Sequence, residues 1–500
     1  MDAVNITNLN FTYPRAVQYA LEDINITIKK GEFLAVMGEN GAGKTSFCKL
    51  LNGVIPHISG GKLTGSVIID GIRTIESTVP SLAFKVGLVL DDPDAQLFAS
   101  TVRAEAAFGP ENILLSPEEI KKRIDFSLSA VGLSGFKDRA PSSLSGGEKQ
   151  RLCIAAALAM KPEILVLDEP LCRLDPYGAM QVMSVLAELK QKYGMTIIMT
   201  SHDSAMMKNY ADRVCIFKNG KIIALDISEN IFNNNELLEQ NGIQAIITQE
   251  EIKPRSNTEL HGGIKSFDIA PLPSVFSVSS VVKINEFTYK YSNGIYIKNI
   301  NLTIYENDFI ALIGDNGCGK TTLLKNITGL LRPASGDIFI RGRNIKKLKV
   351  CDISKEIGFV MQNPDNQLFS DTVYKEVAFA LKNMRLPKKE IKKRVYEALE
   401  ILGLTDKIDD FPHSLNKTDR TKVVIACVLA MGCKILLFDE IDVGNDYPGN
   451  VKIMDVARSL HADGFTIIFV THNMFLAHEY AHRIVKMERN GIVSNENRAE

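Results

Sequence analysis

Apolar residues along the chain fall into short continuous runs separated by longer stretches with helical spacing. In the first half these runs are FLAVMG, EILVLD and MTIIMT, and in the second half they are FIALIG, KILLFD and FTIIFV. Continuous apolar runs of this length are typical of parallel strands covered on both faces. Each half also opens with the alternating stretch FTY, which predicts an antiparallel β patch ahead of the main sheet. The pattern predicts an α/β fold with a largely parallel sheet in each half.

The two halves are copies of one another. FTYP at Phe11 recurs as FTYK at Phe287, and GENGAGKT at Gly38 recurs as GDNGCGKT at Gly314, 276 residues later in both cases. DDPDAQLF and QNPDNQLF are only 271 residues apart, because the first copy carries the longer loop IPHISGGKLTG. A polar stretch rich in Asn and Glu, then in Pro and Ser, separates the copies. We predict a first domain at residues 1–235, a linker at 236–279 and a second domain at 280–500.

Each copy carries a glycine-rich turn between an apolar strand and a helical stretch. Both turns fit the pattern GxxxxGK[ST] in the context that this pattern requires. Glycines let backbone N–H groups approach phosphate oxygens, and the helix N-terminus favours an anion. We expect the lysine of each turn to contact the β- and γ-phosphates and the next residue, threonine, to bind Mg²⁺. The residues predicted to bind nucleotide are Gly38, Glu39, Asn40, Gly41, Ala42, Gly43, Lys44, Thr45 and Ser46 in the first copy, and Gly314, Asp315, Asn316, Gly317, Cys318, Gly319, Lys320, Thr321 and Thr322 in the second.

Paired acids follow an apolar strand in each copy. EILVLDE ends in Asp168 and Glu169, and KILLFDE ends in Asp439 and Glu440. Ligands of open α/β sheets bind at the carboxyl ends of strands, so these acids are expected to face the phosphate-binding turn. We predict that the aspartate of each pair holds Mg²⁺ and that the glutamate accepts a proton from the attacking water.

Histidines occur in two settings. His202 in MTSHD and His472 in VTHN each follow an apolar strand, and we predict that they contact the γ-phosphate or the attacking water. HEYAH, from His478 to His482, fits the zinc-protease pattern HExxH. The repeat aligns this stretch with KNYAD at Lys208, and no third ligand is evident. We therefore interpret HEYAH as a solvent-facing helix rather than a zinc site.

Composition narrows the class of protein. The chain has 500 residues and a formal net charge of -1, so no overall basic field indicates a nucleic-acid partner. Its eight cysteines form no CxxC pair, which favours reduced thiols in a cytosolic protein. The N-terminus has an early acid and no apolar signal-peptide core, and no apolar run approaches the roughly 20 residues of a membrane helix. We expect a soluble or peripheral protein whose membrane role comes through a partner.

The stretch LSGGEKQR lies between the phosphate-binding turn and the acidic pair of the first copy. With the motifs above, it resembles the signature of ABC-transporter ATPase domains, and the resemblance covers both copies, nearly the whole chain. It implies two tandem P-loop NTPase domains that hydrolyse ATP with Mg²⁺, each with a helical subdomain beside its sheets. It also implies adenine stacking on Tyr13 and Tyr289, D-loop acids at Asp175 and Asp446, and a glutamine that links metal and water to the transporter contact, which is Gln362 in the second copy and is replaced by Asp91 in the first.

The second copy keeps the frame of the signature segment and loses its centre. PSSLSGGEKQRLCIAAALAM becomes PHSLNKTDRTKVVIACVLAM. The resemblance implies that the serine of the intact signature donates its hydroxyl to the γ-phosphate and that the glycines admit close backbone N–H groups. The intact signature residues are Ser145, Gly146, Gly147 and Glu148, and the altered ones are Asn416, Lys417, Thr418 and Asp419.

In this family each ATP site borrows its signature from the opposite domain, so we expect domains 1 and 2 to pair. Site one then combines Lys44, Thr45, Asp91, Asp168, Glu169 and His202 with Asn416–Asp419. Site two combines Lys320, Thr321, Gln362, Asp439, Glu440 and His472 with Ser145–Glu148. The lost signature and the lost glutamine both fall in site one. We therefore predict that site two hydrolyses ATP and that site one mainly holds it.

Several stretches resemble one importer group. QNPDNQLF, DDPDAQLF, the following TV-x-x-E and FGPEN are similar to the energy-coupling-factor (ECF) importers of vitamins, vitamin precursors or transition-metal ions. The resemblance implies an integral transmembrane coupling protein and a membrane-embedded substrate-binding component as partners, no nucleic acid, and a peripheral location on the cytoplasmic face of the cell membrane. The groove near Asp91 and Gln362 would receive the coupling helices.

Two other classes stay open. Monosaccharide importers also fuse two ABC ATPases with one degenerate site, but the NPDxQLF and FGPEN stretches speak against them. Tandem ABC ATPases of the ribosome or of DNA repair work without a membrane partner. The ribosomal ones usually keep two intact signatures and a long charged helix pair between their domains. The sequence does not name a transported substrate.

Overall fold

The structure, a computed structural model, describes residues 2–246, 280–291, 296–488 and 490–497. The chain divides into two compact units, and each is described by itself below, as the N-terminal and the C-terminal domain. Among the residues that the structure describes, none of the helices combines the length and the apolar character that a membrane crossing requires. All eight cysteines are free thiols, in agreement with the absence of CxxC pairs.

The N-terminal domain alternates strands and helices in the order that the apolar runs predict. Its strands are β1 (Asp2–Thr12), β2 (Leu21–Lys29), β3 (Phe33–Met37), β4 (Lys62–Ile69), β5 (Ile72–Arg73), β6 (Val86–Val89), β7 (Ile164–Leu167), β8 (Thr196–Thr200), β9 (Arg213–Lys218) and β10 (Lys221–Ile227). Its α-helices are α1 (Lys44–Leu51), α2 (Val54–His57), α3 (Val79–Leu82), α4 (Pro93–Gln96), α5 (Val102–Asn112), α6 (Pro117–Ala130), α7 (Gly146–Leu158), α8 (Pro176–Tyr193), α9 (Ser204–Tyr210), α10 (Ser228–Phe232) and α11 (Asn235–Gln240). Short 3-10 turns lie at Thr74–Glu76, Ser134–Phe136 and Pro141–Ser143.

Two sheets build this domain. The first is antiparallel, with strand order β2-β1-β4-β5. The second has the order β10-β9-β3-β8-β7-β6 and is parallel except for the edge strand β10. Every residue of β3, β7 and β8 is buried, because core side chains cover both faces of the sheet. The predicted α/β fold with an antiparallel patch is confirmed.

A group of helices stands beside the parallel sheet. Helices α5, α6 and α7 pack against one another through a shared apolar core that includes Leu128, Leu152 and Leu158. This is the helical subdomain that the resemblance implies. The signature residues lie at the start of α7, so the position of that helix fixes where they are presented.

The C-terminal domain repeats this architecture. Its strands are β11 (Ser280–Lys290), β12 (Tyr296–Tyr305), β13 (Phe309–Ile313), β14 (Ser335–Ile340), β15 (Arg343–Asn344), β16 (Ile357–Val360), β17 (Ile435–Asp439), β18 (Thr466–Val470), β19 (Arg483–Glu488) and β20 (Gly491–Asn497). Its α-helices are α12 (Lys320–Ile327), α13 (Val350–Ile353), α14 (Val373–Asn383), α15 (Lys388–Ile401), α16 (Lys417–Met431), α17 (Tyr447–Ala462) and α18 (Met474–Tyr480), with 3-10 turns at Ile345–Lys347, Pro364–Asn366, Thr405–Lys407 and Pro412–Ser414. The sheets have the orders β12-β11-β14-β15 and β16-β17-β18-β13-β19-β20, and β20 is the antiparallel edge of the second.

The described fold of the N-terminal domain continues past residue 235, where we predicted a linker to begin. Leu238, Ile243 and Ala245 are buried, and the first two belong to the core of that domain. The Asn- and Glu-rich composition of this stretch hid these apolar anchors. The rest of the predicted linker, residues 247–279, lies outside the described residues.

Substituting Gly358 by Ala is expected to destabilise the C-terminal domain. Gly358 lies in β16, and a Cβ there would overlap the side chain of Val428 in α16, which is β-branched and stiff. Overpacking of this kind costs about 1–3 kcal/mol in free energy of unfolding, to be measured by denaturant titration. The matched control is Gly87→Ala in the N-terminal domain, where the nearest atom lies 3.1 Å from such a Cβ. Equal losses in the two variants would contradict this account.

Candidate functional site

The first phosphate-binding turn joins β3 to α1 and closes on its own lysine. The buried ammonium of Lys44 donates to the carbonyl oxygens of Gly38, at 2.9 Å, and Glu39, at 3.1 Å. Gly43 precedes α1 with a φ of 107°, and Gly38 has a φ of 140° at a place where a Cβ would overlap the carbonyl of Phe217. Glycine adopts such conformations without strain. The turn therefore combines a glycine backbone, a helix N-terminus and a buried cation, as polyphosphate binding requires.

The second turn, between β13 and α12, has the same construction. Lys320 donates to the carbonyl oxygens of Gly314, at 2.7 Å, and Asp315, at 3.2 Å. Gly319 precedes the helix with a φ of 108°, and a Cβ there would overlap the side chain of Ile297. The two copies thus agree in geometry as well as in sequence.

In the C-terminal domain, three neighbouring parallel strands bring a glutamate, a histidine and a glutamine together. Glu440 follows β17, and its Oε1 lies 3.1 Å from Nε2 of His472, which follows β18. Gln362 follows β16 and donates from Nε2 to the other oxygen, Oε2 of Glu440, at 2.9 Å. The ammonium of Lys320 lies 3.8 Å from Oε1 of Glu440 and 3.3 Å from Nε2 of His472. Both oxygens of the predicted base are therefore held in place.

Thr321 and Asp439 of this domain form a pair of oxygen ligands. The hydroxyl of Thr321 donates to Oδ1 of Asp439 at 2.8 Å. Burial raises the pKa of Asp439 to about 6, although the hydrogen bond from Thr321 works in the opposite direction. A nearby cation strongly stabilises the ionised form of a buried carboxyl group. Hydroxyl and carboxylate oxygens are also ligands that Mg²⁺ prefers. These residues fit the predicted magnesium site.

In the N-terminal domain, Asp168 bonds to the equivalent Thr45 and also to a second threonine, Thr200. The hydroxyl of Thr200 donates to Oδ1 of the buried Asp168 at 2.9 Å. Burial raises the pKa of Asp168, while hydrogen bonds with Thr45 and Thr200 oppose the shift. Asp168 and Thr45 therefore form the same kind of oxygen pair as Asp439 and Thr321.

The glutamate of the N-terminal domain contacts a histidine and a lysine. Oε1 of Glu169 lies 2.9 Å from Nε2 of His202 and 3.5 Å from the ammonium of Lys44. Burial opposes ionisation of this carboxyl, but the hydrogen bond and charge of His202 and the charge of Lys44 outweigh it and lower the pKa of Glu169 to about 2. Glu169 is therefore an anion at neutral pH.

Asp91 stands where the C-terminal domain has Gln362. An amide can donate a hydrogen bond to a carboxylate, whereas an ionised aspartate cannot. Asp91 instead contributes negative charge that raises the pKa of Asp168. Among the described residues of the N-terminal domain, Glu169 has no counterpart of the bond from Gln362 to Glu440.

Both predicted bases have an unusual backbone that the sequence did not reveal. Glu169 has a φ of 47° and Glu440 a φ of 48°. Non-glycine residues with positive φ are uncommon, and they cluster at functional sites. The backbone N–H of Glu169 donates to the hydroxyl of Thr200 at 2.7 Å, and that of Glu440 donates to the carbonyl of Val470 at 3.1 Å. No sequence signal marks this conformation in a residue other than glycine.

The predicted adenine-stacking residues differ between the domains. The hydroxyl of Tyr13 is 3.0 Å from that of Ser46, beside the first turn. In the C-terminal domain the corresponding contact, to Thr322, is made by Tyr291, while Tyr289 packs against Tyr291 edge to face with ring centroids 5.0 Å apart. Tyr291 was missed because the repeat aligns Tyr13 with Tyr289. Adenine stacking stays a prediction in both domains.

The intact signature begins helix α7 with a reciprocal cap. The hydroxyl of Ser145 accepts from the backbone N–H of Glu148, and the carboxylate of Glu148 accepts from the backbone N–H of Ser145 at 2.8 Å. Ser145 and Gly146 are exposed to solvent. Gly147 lies against Gly178 of α8, with 3.4 Å between its ideal Cβ position and the Cα of Gly178. The cap holds the Ser-Gly-Gly backbone in an accessible position.

The altered signature keeps the cap and fills the glycine turn with side chains. Oδ1 of Asn416 accepts from the backbone N–H of Asp419 at 2.9 Å, and Lys407 holds the carboxylate of Asp419 at 2.5 Å. The ammonium of Lys417 donates to the carbonyl of Val443. The helix start is therefore preserved, although Ser-Gly-Gly-Glu is not.

The predicted D-loop acids both precede a helix. Oδ1 of Asp175 accepts from the backbone N–H of Gly178 at 2.7 Å and so caps α8. Asp446 directly precedes α17. Their role in the ATP sites stays a prediction.

A glutamine that was not singled out from the sequence fixes the segment that contains Gln362. Oε1 of Gln367 accepts from the backbone N–H of Met361 at 2.7 Å, and its Nε2 donates to the carbonyl of Phe359 at 2.9 Å. Gln96 makes the same pair of bonds in the N-terminal domain, at 3.0 and 3.3 Å. This explains why the QLF stretch occurs in both copies.

A buried glutamate fixes the next few residues. Oε2 of Glu376 accepts from the backbone N–H groups of Phe369, at 2.9 Å, and Ser370, at 2.6 Å. Glu105 does the same for Phe98 and Ala99, at 3.0 and 2.8 Å. The recurrent TV-x-x-E stretch was the signal for these residues.

The HEYAH stretch does not place its two histidines on one helix, as the zinc-protease pattern requires. Helix α18 ends at Tyr480, so His482 lies beyond the helix that carries His478. The ring of His482 contacts His461 and Phe309, with centroids 4.7 and 6.2 Å away. In the described part of the chain, no group of three or more His, Cys, Asp or Glu side chains could hold a metal ion.

Comparison with known proteins identifies the family of the chain. The family model for ABC transporters matches residues 21–172 and 297–442. An ABC transporter ATP-binding protein of Caldanaerobacter subterraneus subsp. tengcongensis is 36% identical over 507 residues, which cover 96% of this chain and 89% of that protein. A protein of the same description from Methanosarcina acetivorans is 36% identical over 521 residues, which cover 98% of this chain and 85% of that protein.

Among solved structures, cbiO1 from Clostridium perfringens, described as part of the ABC transporter complex cbiONQ, is 34% identical. It covers 48% of this chain and 94% of its own length, with a TM-score of 0.44. The family match spans both phosphate-binding turns and both acidic pairs, and the relatives extend over nearly the whole chain. The chain belongs to the ABC transporter ATP-binding proteins, and it is an ATPase of that family that uses ATP and Mg²⁺.

Proposed function

We propose that this ABC ATPase is the energy-coupling subunit of an ECF-type importer, which drives the uptake of a vitamin, a vitamin precursor or a transition-metal ion. Its partners would be an integral coupling protein and a membrane-embedded substrate-binding component, and it would lie on the cytoplasmic face of the membrane through them. The QNPDNQLF and TV-x-x-E stretches support this group. Their side chains Gln367 and Glu376 fix the backbone at Met361 and at Phe369, in the segment that follows Gln362.

The observation that carries the proposal is an apolar groove beside Gln362. A cavity of about 290 Å³ lies in the C-terminal domain between the strand-end segment and the helices, lined by Leu330, Val350, Phe359, Phe369, Phe379 and Met431. Phe369 and Phe379 pack edge to face with centroids 4.7 Å apart, yet they are 62% and 46% exposed. Phe98 and Phe108 form the same exposed pair in the N-terminal domain, 4.6 Å apart. Paired exposed aromatics fit the apolar face of a partner helix.

In the proposed mechanism, site two performs hydrolysis. Thr321 and Asp439 would hold Mg²⁺, which would supply positive charge beside the phosphates. Glu440 accepts a proton from the attacking water, and His472 and Gln362 hold its two oxygens so that little reorganisation is needed. Lys320 stabilises the charge that develops on the phosphate, which is the main catalytic contribution that a protein makes to such transfers.

We propose that site one mainly retains ATP. Its glutamate lacks the amide partner that Gln362 supplies to Glu440, and its signature would come from Asn416–Asp419. Removal of one preorganised donor typically lowers turnover by about 10²–10³-fold. Its phosphate-binding turn is intact, so binding of ATP is preserved.

Membrane association tests the proposed function. When the chain is co-expressed with a candidate integral coupling protein, we expect it to sediment with membranes, and without that protein we expect it in the soluble fraction. Phe369→Asp together with Phe98→Asp should lower the membrane-bound share several-fold, because a carboxylate in the groove opposes apolar docking. The matched control is Val493→Asp, at a 57% exposed position on β20 outside the groove. Co-sedimentation with ribosomes, or membrane binding that needs no co-expressed protein, would refute the importer role.

A further inference from the structure

The altered signature contacts the loop that follows Glu440 in its own domain; we call residues 441–445 the base loop. The ammonium of Lys417 donates to the carbonyl of Val443 in the base loop. The hydroxyl of Thr418 donates to Oδ1 of Asn445 at 3.4 Å, and Nδ2 of Asn445 donates to the carbonyl of Ile441 at 2.7 Å. Consecutive side chains of the altered signature thus hold two points of the base loop.

The base loop is also tied to the strand that carries His472. The buried Thr471 donates from its hydroxyl to Oδ2 of Asp442 at 2.6 Å. The same hydroxyl accepts from the backbone N–H of Asn473 at 2.9 Å. Thr471 and Asn473, the residues on either side of His472, are therefore bonded to each other. The loop directly after Glu440 is therefore held by the altered signature on one side and by the histidine strand on the other.

The N-terminal domain holds its equivalent loop differently. The four polar residues Lys417, Thr418, Asp442 and Asn445 correspond to Gly146, Gly147, Leu171 and Leu174. Leu171 and Leu174 pack on the apolar core of that domain, and the ideal Cβ position of Gly146 is 3.5 Å from Cδ2 of Leu174. Residues on both sides of this contact have therefore changed from apolar or glycine to polar. Simple decay of a signature would not supply its new side chains with partners on the loop.

The shape of the base loop matches Lys417 as well. Gly444 has a φ of 70°, and a Cβ at that residue would lie 2.6 Å from the ammonium of Lys417. A residue with a side chain at position 444 would displace the lysine, so glycine is needed for the approach as well as for the backbone conformation.

We propose that Asn416–Asp419 braces the base loop and that Lys417 is a positioning residue for Glu440 of the same domain. The proposal rests on the proposed function only in taking Glu440 as the base of site two. The altered signature then acts within its own domain, at the hydrolysing site. This role is separate from the loss of an intact signature at site one. Small displacements of a catalytic group, of the order of 1 Å, lower rates by up to about 10²-fold, so loss of the brace should lower kcat.

The test compares Lys417→Met with Lys417→Arg in the full chain. Methionine keeps the length and removes the donor, whereas arginine can still donate to the carbonyl of Val443. We expect Lys417→Met to lower kcat for ATP roughly 10-fold with KM within about two-fold of wild type, and Lys417→Arg to recover most of the loss. Lys389→Met, on the exposed face of α15, is the matched control and should leave kcat unchanged.

A second measurement does not depend on turnover. Hydrogen–deuterium exchange of peptides that cover residues 441–446 should increase in Lys417→Met and stay at the wild-type level in Lys417→Arg and Lys389→Met. Unchanged exchange together with unchanged kcat in Lys417→Met would overturn the brace. A raised KM with unchanged kcat would instead assign Lys417 to nucleotide contact. If Glu440→Gln retained full turnover, the assignment of the base would fail, whatever the result for Lys417.

Discussion

Substitution of Glu440 by Gln is expected to lower the ATP turnover of the full chain by about 10²–10⁴-fold, since an amide cannot accept the proton of the attacking water. Glutamine keeps the size of the side chain. His472 and Gln362, 3.1 and 2.9 Å from the two carboxylate oxygens, can still contact it after rotation of its amide. The loss should therefore appear in kcat in a steady-state phosphate-release assay, while ATP binding measured by equilibrium titration is retained.

Glu169→Gln is the matched control for this experiment. It makes the same change at the equivalent backbone position of the N-terminal domain, where φ is 47° against 48° at Glu440. Because Glu169 lacks the amide partner, we expect it to contribute little to turnover, so this variant should retain most of the wild-type rate. Equal losses in the two variants would show that both sites hydrolyse ATP and would refute the asymmetric mechanism.

Placing a residue of the altered signature in the intact one should lower ATP turnover nearly as much as Glu440→Gln does. Gly146→Lys copies Lys417 into the N-terminal signature, and in the proposed pairing it places a side chain where the backbone should approach the γ-phosphate of site two. We expect turnover to fall by about 10²–10³-fold. The domain itself should tolerate the change, since a Cβ at Gly146 has its nearest neighbours at 3.5 and 3.9 Å, which are ordinary contact distances. Thermal unfolding should confirm that the fold is intact.

Ser142→Lys, at an exposed position just before the signature, controls for the added charge. It should leave turnover unchanged. Binding of ATP should survive in Gly146→Lys, because both phosphate-binding turns are untouched. Wild-type turnover in Gly146→Lys would mean that this signature does not serve the hydrolysing site.

The fold was predictable because the chain carries two copies of each apolar run and of each glycine-rich turn. The apolar runs that became β3, β7 and β8 have counterparts in β13, β17 and β18, and the glycine turns follow the same strand in both domains. Burial on both faces leaves few polar positions in such strands, so their pattern is unambiguous. The carboxyl ends of the neighbouring strands β17 and β18 then place Glu440 beside His472.

The features that escaped prediction depend on tertiary contacts. The positive φ of Glu440 comes from its surroundings, and its sequence position does not disclose it. Tyr291 makes the contact to Thr322, although alignment of the copies pairs Tyr13 with Tyr289. In the sequence, Lys417 indicates only that a signature glycine is lost. Its contact with the carbonyl of Val443 is evident only from the structure. Pairwise contacts between distant residues carry no periodic signal.

The two hydrogen-bonded anchors next to Gln362 limit how that segment can respond to force. Gln367 bonds to the backbone at Met361, and Glu376 bonds to the backbone at Phe369 and Ser370. The segment between Met361 and Phe369 is therefore restrained at both ends. In the proposed importer, a partner helix docked on Phe369 would contact one end of this segment. The other end lies one residue from Gln362, whose amide donates to Glu440. We therefore expect docking at the groove to act on Glu440 through this segment.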